Sequence, residues 1–296
     1  MSSPRLALVL GSGGVRSVAA LGIAGVLASE GLAPDLVVGC SSGALFGACI
    51  AAGMTSQQGL DAATTLWSQE VTEKRRWQAY AQLVMPKLLG FDASFAMRDS
   101  RLIAHRIERA FGDKALEFLP TPLRVVTTEA STGNRVVLSR GSVSRALLAS
   151  MALPFIFQSV EIGGRRLTDG VISDPLPVSV ASDAQLIIAL GFRGAMPRRV
   201  NRPARLIAQT TTAMINNLQD AQLRAAEAAG QRVLAIELDI DRRIGLWETR
   251  AMPRIFEAGE HATRVRLPAI RALLADSADE RWTKTVQRVD ALRAAR

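Results

Sequence analysis

Two apolar runs near the start of the chain each end in a glycine-rich turn, and this pattern limits the fold more than any other feature. Leu6–Leu10 (LALVL) runs into Gly11–Gly14 (GSGG), and Asp35–Cys40 (DLVVGC) runs into a second turn of Gly and Ser. Residues 15–31 carry apolar side chains at helical spacing, and Ser42–Met54 is apolar enough for a buried helix. Strand, helix, strand and helix in this order form a βαβ unit and predict a parallel sheet.

The remainder of the chain continues with strands and helices. Residues 55–120 are predicted to be mostly helical. The later elements that the pattern predicts are hairpins at Leu123–Thr128 with Arg135–Leu138 and at Val160–Leu167, strands at Leu186–Leu190 and Val233–Leu238, and helices over 142–150, 204–229, 256–275 and 279–295. We therefore predict a single α/β domain over residues 1–296, with a core to about residue 240 and closing helices from about residue 241.

The composition excludes several classes of protein. With 296 residues, 48% of them apolar, the chain is long enough to bury a full hydrophobic core. Two cysteines and two histidines provide neither a disulfide framework nor a metal-ligand cluster, so we expect no metal and no cofactor. The start of the chain lacks the pattern of a signal peptide, and no apolar run reaches the roughly 18 residues of a membrane helix. The sequence thus predicts a soluble, cytoplasmic protein.

The net charge of +9 is concentrated in the last third of the chain, since residues 193–296 carry 19 basic and 12 acidic side chains. No aromatic-interleaved basic patch or nucleic-acid motif accompanies this charge, so no nucleic-acid partner is expected. The charge leaves open a weak, peripheral attraction to an anionic membrane surface.

The second glycine turn contains a candidate nucleophile. Gly39–Gly43 (GCSSG) matches the pattern G-x-S-x-G at a junction between a strand and a helix, which is the arrangement of a nucleophile elbow. The glycines allow a sharp turn that exposes Ser41 at the helix N-terminus, where backbone N–H groups favour developing negative charge. A tight structural turn is the alternative explanation of the same residues.

A Ser-His-Asp triad would require His105 or His261 to activate Ser41. His105 lies in a charged, helical stretch, whereas His261 follows the last strand, in the chain order of an α/β-hydrolase. An α/β-hydrolase usually builds several strands before its elbow, and here the elbow follows the second strand. The sequence therefore disfavours the triad.

The first glycine turn is suited to binding an anion. Gly11, Gly13 and Gly14 follow a strand and open a helix, which offers backbone N–H groups and a helix dipole. Arg16 stands where a dinucleotide fingerprint needs a third glycine, and the Gly-Lys-Ser/Thr of a phosphate-binding loop is absent. Nucleotide binding is therefore disfavoured, and an oxyanion hole beside the candidate nucleophile is the other use of this loop.

Together these residues resemble the patatin-like phospholipases. The stretches that carry the resemblance are, in chain order, Gly11–Arg16, Gly39–Gly43, Ala149–Phe157 (ASMALPFIF), Asp169-Gly170 before Pro175 and Pro177, the late strand VLAIEL and the helix that contains Ala258-Gly259. The resemblance covers essentially the whole chain. It implies a patatin-like three-layer α/β sandwich with a mostly parallel central sheet, helices on both faces and a helical C-terminal closure.

The same resemblance implies a Ser-Asp dyad that needs no histidine. Ser41 would be the nucleophile and Asp169 its base. The residues implied for the oxyanion loop and for substrate binding are Gly11, Gly13, Gly14 and Arg16. From the residues alone, Asp169 ranks level with Asp174, because an Asp-Gly turn is common.

Two positions depart from the family pattern and bear on substrate preference. Ser17 stands where the family usually has Gly, and Val171 stands where it usually has Gly or Ala. Ser17 still allows a close turn and can form local hydrogen bonds. Val171 is bulkier and β-branched, which would narrow the site or change the loop after Asp169.

The function that the resemblance implies is that of a serine lipid acyl hydrolase, an esterase of phospholipase A or lysophospholipase type that acts through an acyl-enzyme. Val84–Phe95 and Ala152–Phe157 would supply an acyl-chain groove, and ordinary core or lid packing explains them equally well. The alternative from another class is a non-catalytic lipid-binding or regulatory protein that kept the fold. The intact Ser41, Asp169 and loop glycines argue against that alternative.

Overall fold

The structure of the chain is a computed structural model that describes residues 4–68, 95–196, 199–240 and 244–294 and the single positions 70, 79, 82, 85, 88 and 92. For residues 277–294 it describes the backbone. The strands are β1 (Leu6–Leu10), β2 (Leu36–Cys40), β3 (Leu123–Glu129), β4 (Arg135–Leu138), β5 (Val160–Ile162), β6 (Arg165–Asp169), β7 (Leu186–Leu190) and β8 (Val233–Ile236). The helices are α1 (Ala19–Ser29), α2 (Ser42–Ala51), α3 (Ser56–Leu66), α4 (Arg101–Phe111), α5 (Val143–Ser150), α6 (Pro203–Ala228) and α7 (Met252–Ala294).

The strands form one mixed sheet in the order β5-β6-β3-β2-β1-β7-β8, with β4 paired to β3. The central strands β3, β2, β1, β7 and β8 pair in parallel with their neighbours. The hairpin β5–β6 and strand β4 attach to β3 in the antiparallel direction. The predicted mostly parallel central sheet and both predicted hairpins are therefore confirmed.

Alternate side chains of the central strands belong to two separate apolar clusters, one on each face of the sheet. Leu6, Leu8 and Leu10 of β1 pack on the face that is covered by α1, α2, α3, α4, α5 and α7. Ala7 and Val9 point to the opposite face, which is covered by α6 and by the 3-10 turn Val178–Ala181. Because successive side chains of a strand point to opposite faces, one buried strand supplies both clusters. The expected three-layer arrangement, with helices on both faces, is confirmed.

The chain after the first glycine turn differs from the predicted continuous helix. Gly14–Val18 form a 3-10 turn, and the α-helix begins only at Ala19. Gly14 has a φ of +59°, and the N–H of Val15 donates to the Leu246 carbonyl oxygen at 2.9 Å. These constraints hold the first residues in a tighter turn than an α-helix allows.

The prediction of two closing helices over 256–275 and 279–295 is wrong. A single helix, α7, runs from Met252 to Ala294. The polar residues between 275 and 279 include no Gly or Pro, so nothing in that stretch ends a helix. Pro268 lies inside α7 and removes one backbone hydrogen bond without ending the helix.

The segment over 55–120 contains α3 and α4 within its described parts, as expected for a mostly helical stretch. Most of Val84–Phe95, the first half of the predicted acyl-chain groove, lies outside the described residues. Among the described residues, no helix combines enough length with enough apolar character to cross a lipid bilayer.

Candidate active site

Ser41 occupies the sharp turn between β2 and α2. Its φ of +56° and ψ of −126° are unusual for a residue with a side chain, which indicates a strained turn held by its surroundings. A Cβ on Gly39 would lie 2.4 Å from the Cα of Ala44. A Cβ on Gly43 would lie 2.4 Å from the carbonyl oxygen of Leu10. Both glycines of the motif are therefore required because the first turn of α2 packs directly on neighbouring backbone.

Strand β3 brings Ser41 and Asp169 together. Cys40, the last residue of β2, pairs with Val126 of β3. The next residue of β3, Thr127, pairs with Asp169 at the end of β6. The ends of β2 and β6 thus meet, although Ser41 and Asp169 are 128 positions apart, and Ser41 Oγ donates a hydrogen bond of 2.8 Å to Asp169 Oδ2.

A second serine, which the sequence analysis did not single out, supports the turn. The N–H of Ser41 donates to Ser150 Oγ at 2.8 Å, and the Ser150 hydroxyl donates to the Val126 carbonyl oxygen at 2.6 Å. Ser150 is fully buried at the end of α5. It therefore ties the backbone of the candidate nucleophile to β3. Its only signal in the sequence was its place in the stretch ASMALPFIF.

Asp169 is a buried carboxyl group whose protonated and ionised forms are both populated near neutral pH. Removal from water raises the pKa of Asp169 to about 7, while hydrogen bonds from the Val171 N–H and from Ser41 act in the opposite direction. The Val171 N–H donates to Oδ1 at 2.9 Å and Ser41 donates to Oδ2, so each carboxylate oxygen has one donor. A carboxyl group with a pKa in this range can take up and return a proton during a reaction.

The other candidates for a base are not in contact with Ser41. Asp174 accepts a hydrogen bond of 2.5 Å from the guanidinium of Arg135. His105 on α4 and His261 on α7 are exposed, and neither lines the pocket that contains Ser41. Among the described residues, no group of three or more His, Cys, Asp or Glu side chains could hold a metal ion.

The three glycines of the first turn use their N–H groups differently. The N–H of Gly11 donates to the Leu190 carbonyl oxygen at 2.9 Å, and the N–H of Gly13 donates to Ser42 Oγ at 3.2 Å. The N–H of Gly14 has no acceptor among the described residues, and Gly14 lines the same pocket as the candidate nucleophile. Gly11 and Gly13 therefore shape the loop, whereas Gly14 retains an N–H that can bind an oxyanion.

The side chain of Arg16 stabilises this loop by contacts with two backbone carbonyls and one aromatic ring. Its Nε donates to the Gly13 carbonyl oxygen at 3.2 Å, its Nη1 donates to the Arg193 carbonyl oxygen at 3.1 Å, and its guanidinium lies 5.0 Å from the ring centroid of Phe192. The Gly13 carbonyl and the Gly14 N–H belong to one trans peptide and point in opposite directions. By holding the carbonyl, Arg16 fixes the direction of the Gly14 N–H.

Ser17, the first departure from the family pattern, joins the loop to α2. Ser17 Oγ lies 2.9 Å from Ser42 Oγ and donates to the Gly11 carbonyl oxygen at 3.3 Å. Ser42 in turn accepts the N–H of Gly13. Each hydroxyl can thus donate once and accept once, which completes a buried chain of hydrogen bonds from one loop glycine to another.

The pocket around Ser41 and Asp169 is small and largely apolar, with a volume of about 160 Å³. Its apolar walls include Trp67, Trp247, Leu153, Phe157 and Val171. The two tryptophan rings are stacked with their centroids 4.9 Å apart. Val171, the second departure, thus adds bulk beside the candidate base, and two residues of the predicted Ala152–Phe157 groove line the same wall.

Two larger cavities adjoin this pocket. One, of about 940 Å³, shares Arg16, Phe192 and Leu246 with it. The other, of about 340 Å³, shares Phe157 and is lined by Phe95, Phe155 and Ile172. The rings of Phe95 and Phe155 meet edge to face at 6.3 Å. The small pocket therefore adjoins a larger cavity of mixed polar and apolar lining and a second cavity with aromatic walls.

Comparison with known proteins places this chain in a family. The family model described as patatin-like phospholipase matches residues 8–182. An uncharacterized NTE family protein of Mycobacterium tuberculosis is 32% identical over 196 residues, which cover 66% of this chain and 51% of that protein. A second such protein of the same organism is 30% identical over 288 residues, covering 89% of this chain and 46% of that protein.

The chain spans about half the length of the curated bacterial relatives that it matches. Mouse patatin-like phospholipase domain-containing protein 7 is 30% identical over 190 residues, covering 62% of this chain and 13% of that protein. Among solved structures, VipD from Legionella pneumophila is similar with a TM-score of 0.46 and 16% identity, covering 93% of this chain and 67% of that chain. Because the family model matches more than half of its residues, this chain belongs to the patatin-like phospholipase family.

Proposed function

We propose that the chain is a serine lipid acyl hydrolase in which Ser41 and Asp169 act as a catalytic dyad. The observation that carries the proposal is the 2.8 Å hydrogen bond from Ser41 Oγ to the buried Asp169 carboxylate, at a strained turn that opens into an apolar pocket. Membership of the patatin-like phospholipase family supports a lipid ester as the substrate.

In the proposed first step, Ser41 Oγ attacks the ester carbonyl carbon while Asp169 Oδ2 accepts the hydroxyl proton. The carbonyl oxygen becomes an oxyanion, and the free N–H of Gly14 donates to it. As the tetrahedral intermediate collapses, the proton on Asp169 passes to the departing alcohol oxygen. The acyl group is then bound to Ser41 as an ester.

In the second step, water hydrolyses this acyl-enzyme. Asp169, again ionised, accepts a proton from the attacking water, and the same N–H stabilises the second oxyanion. The proton then returns to Ser41 Oγ as the fatty acid leaves. Since Asp169 must be ionised to begin each half of the cycle, its raised pKa sets the lower limit of the working pH range.

The proposal is tested by hydrolysis of a short-chain p-nitrophenyl ester and by labelling with a fluorophosphonate. We expect Ser41→Ala and Asp169→Asn each to lower kcat/KM by about 10³-fold or more, because the two residues act as a unit. Ser41→Ala should also abolish labelling. Thermal unfolding checks that both variants remain folded.

Matched control variants distinguish a loss of the catalytic dyad from a general effect of substituting a buried polar residue. Ser144→Ala removes a buried hydroxyl that has no hydrogen-bond partner among the described residues, and Asp174→Asn changes the other buried carboxyl group of the region. Both are expected to retain hydrolysis. Labelling of folded Ser41→Ala at the wild-type rate would contradict the assignment of the nucleophile, and loss of activity in folded His261→Ala would favour a triad. A wild-type chain that neither hydrolyses the ester nor reacts with the probe would favour the non-catalytic alternative.

A further inference from the structure

The first half of α6 and the segment before it carry an unusual excess of positive charge. Between Asp183 and Asp220 the sequence contains no acidic residue and has arginines at positions 193, 198, 199, 202 and 205. Arg193 pairs with Asp220 at 2.7 Å. The other described arginines of this segment, which are Arg199, Arg202 and Arg205, are exposed and have no acidic partner among the described residues.

Large apolar side chains are exposed among these arginines. Leu206 is 55% exposed, and Ile207 and Met214 are each 67% exposed. Clustered apolar side chains on the surface of a protein mark a site of contact with a partner or a membrane. We refer to Arg199, Arg202, Arg205, Leu206, Ile207 and Met214 as the basic apolar surface.

Two apolar residues of this surface, Ile207 and Met214, lie on the reverse side of a helix that lines the pocket of Ser41. Arg205 lies near the start of this helix, seven residues before Thr212 and therefore on the pocket side. Thr212 and Asn216 line that pocket, and Asn216 is held there by hydrogen bonds of 2.8 and 3.0 Å with the N–H and carbonyl of Gly194. Ile207 and Met214, seven residues apart, share the opposite side of the helix. One helix therefore presents one side to the candidate active site and its other side to the surroundings.

We propose that the basic apolar surface docks the protein on an anionic lipid bilayer, with the apolar side chains inserted among the lipid chains and the arginines beside the headgroups. Helices that lie in a membrane interface combine the same two kinds of residue. This inference rests on the proposed function, because docking through α6 would hold the pocket of Ser41 within about one helix diameter, roughly 10–12 Å, of a bilayer that contains a lipid substrate.

A bilayer suits the surface better than two other partners do. A two-fold contact between copies of the chain would oppose the arginine cluster to its own copy, which is unfavourable. A nucleic acid would bind the arginines through its phosphates but would leave Leu206, Ile207 and Met214 in water. Only an anionic surface with an apolar interior satisfies both parts of the surface.

The first experiment measures co-sedimentation with vesicles of phosphatidylcholine and phosphatidylglycerol in equal parts, compared with phosphatidylcholine alone. Ser41→Ala is used as the background, so that hydrolysis does not change the lipid. We expect binding to the anionic vesicles to fall about fivefold for each of Arg199→Gln, Arg202→Gln and Arg205→Gln, and to weaken with added salt. Leu206→Gln with Ile207→Gln should lower binding by about tenfold or more.

The matched control changes the same residue types on α7. Val265 and Arg266 are exposed, so Val265→Gln with Arg266→Gln should leave vesicle binding unchanged. Equal binding by the control and by the α6 variants would overturn the proposal. A change of oligomeric state in Leu206→Gln with Ile207→Gln, without a change in vesicle binding, would overturn it in favour of an interface between copies.

A second measurement detects contact between the basic apolar surface and the bilayer directly, rather than through a loss of binding. The two native cysteines are buried, so a cysteine at the surface can be labelled selectively with a polarity-sensitive dye. We expect a dye on Met214→Cys to shift its emission to the blue on anionic vesicles, whereas a dye on Val265→Cys should not shift. No shift at either position would contradict the proposal.

The docking proposal and the proposed function can fail separately. Hydrolysis of the soluble ester needs no membrane, so it reports the dyad alone. If the wild type hydrolyses the ester but the α6 substitutions do not change vesicle binding, the docking proposal would be overturned. The proposed hydrolase activity would still stand. If the α6 substitutions weaken vesicle binding but the wild type hydrolyses no ester, the docking surface would stand and the proposed hydrolase activity would be contradicted.

Discussion

The carboxyl group of Asp169 is the single residue through which pH should act most strongly on the proposed reaction. A base works only when it is ionised, and burial raises the pKa of Asp169 to about 7. We therefore expect kcat/KM for a soluble ester to be constant above about pH 7 and to fall about tenfold per pH unit below it. A pH profile of wild type and Asp174→Asn measures this, and both should share one inflection. An inflection near pH 4 would contradict a buried base.

The same burial should destabilise the folded protein at neutral pH. The pKa of Asp169 is higher in the folded chain than its ordinary value of 3.8, so folding takes up a proton between about pH 4 and pH 7. This group's contribution to the free energy of unfolding therefore falls as pH rises through that window, by about 4 kcal/mol at most. Asp169→Asn keeps an oxygen for the Val171 N–H and removes the buried charge.

We thus expect Asp169→Asn to be more stable than wild type at pH 8, with a smaller difference at pH 5. Urea unfolding at the two pH values measures the change. A difference that is the same at both values would mean that the carboxyl group titrates alike in the folded and unfolded chains.

At this scale the sequence contains a strong local signal for Ser41 as a candidate nucleophile and a weak one for Asp169 as its candidate base. Ser41 is marked by a local pattern, because the strained turn needs glycine on both sides. Asp169 has only an Asp-Gly turn around it. What selects it over Asp174 is the register of β3, where Val126 pairs with Cys40 of β2 and the next residue, Thr127, pairs with Asp169 of β6. Such a pairing between distant segments leaves no trace in local spacing, so the assignment depended on resemblance to a family.

At the scale of elements, the loop between β1 and α1 is positioned by contacts outside itself. Arg16 holds the Gly13 carbonyl, and the N–H of the same glycine donates to the buried Ser42 hydroxyl, which is in turn hydrogen-bonded to Ser17. A Cβ on Gly13 would lie 2.2 Å from the ring of Phe192. The loop is thus held at both peptides that flank the Gly13 Cα, and the second of these peptides carries the N–H of Gly14, a residue that lines the pocket.

We expect Arg16→Gln to lower kcat by about 10- to 100-fold with a smaller change in KM, because the Gly14 N–H would lose its fixed direction at the oxyanion. Arg193→Gln is the matched control, since the exposed Arg193 contacts Arg16 only through its backbone carbonyl. It should retain full kcat. Steady-state kinetics on the soluble ester measure both variants. A rise in KM alone would assign Arg16 to ground-state binding of the substrate.

The sequence predicts those elements that depend on local signals and does not predict those that depend on contacts with distant residues. The apolar runs of β1, β2 and β7 and the glycine turns of the hairpins are local signals, and these elements lie where they were expected. The 3-10 turn Gly14–Val18 results from a bond to Leu246, which is distant in sequence. The sequence pattern predicts a break in α7 at residues 276–278, but these residues include no Gly or Pro that would end a helix.

At the scale of the whole molecule, α7 closes the fold by packing against α1 with backbone in contact with backbone. A Cβ on Gly22 of α1 would lie 2.3 Å from the Phe256 carbonyl oxygen. A Cβ on Gly259 of α7 would lie 2.3 Å from the Ala19 carbonyl oxygen. Glycine inside a helix costs about 1 kcal/mol relative to alanine, so its use at both positions indicates that the close approach is worth more than helix propensity.

We therefore expect Gly259→Ala to lower the free energy of unfolding by about 1 to 3 kcal/mol, although alanine is the better helix former. Gly245→Ala is the control: a Cβ there meets no atom of the described residues within 4 Å, and stability should change by less than about 0.5 kcal/mol. Urea unfolding compares the two. Because α1 directly follows the turn that carries Gly14, moving α1 away from α7 should also lower kcat in Gly259→Ala. Equal stability of the two variants would mean that the helices separate without cost, and the closing role of α7 would be refuted.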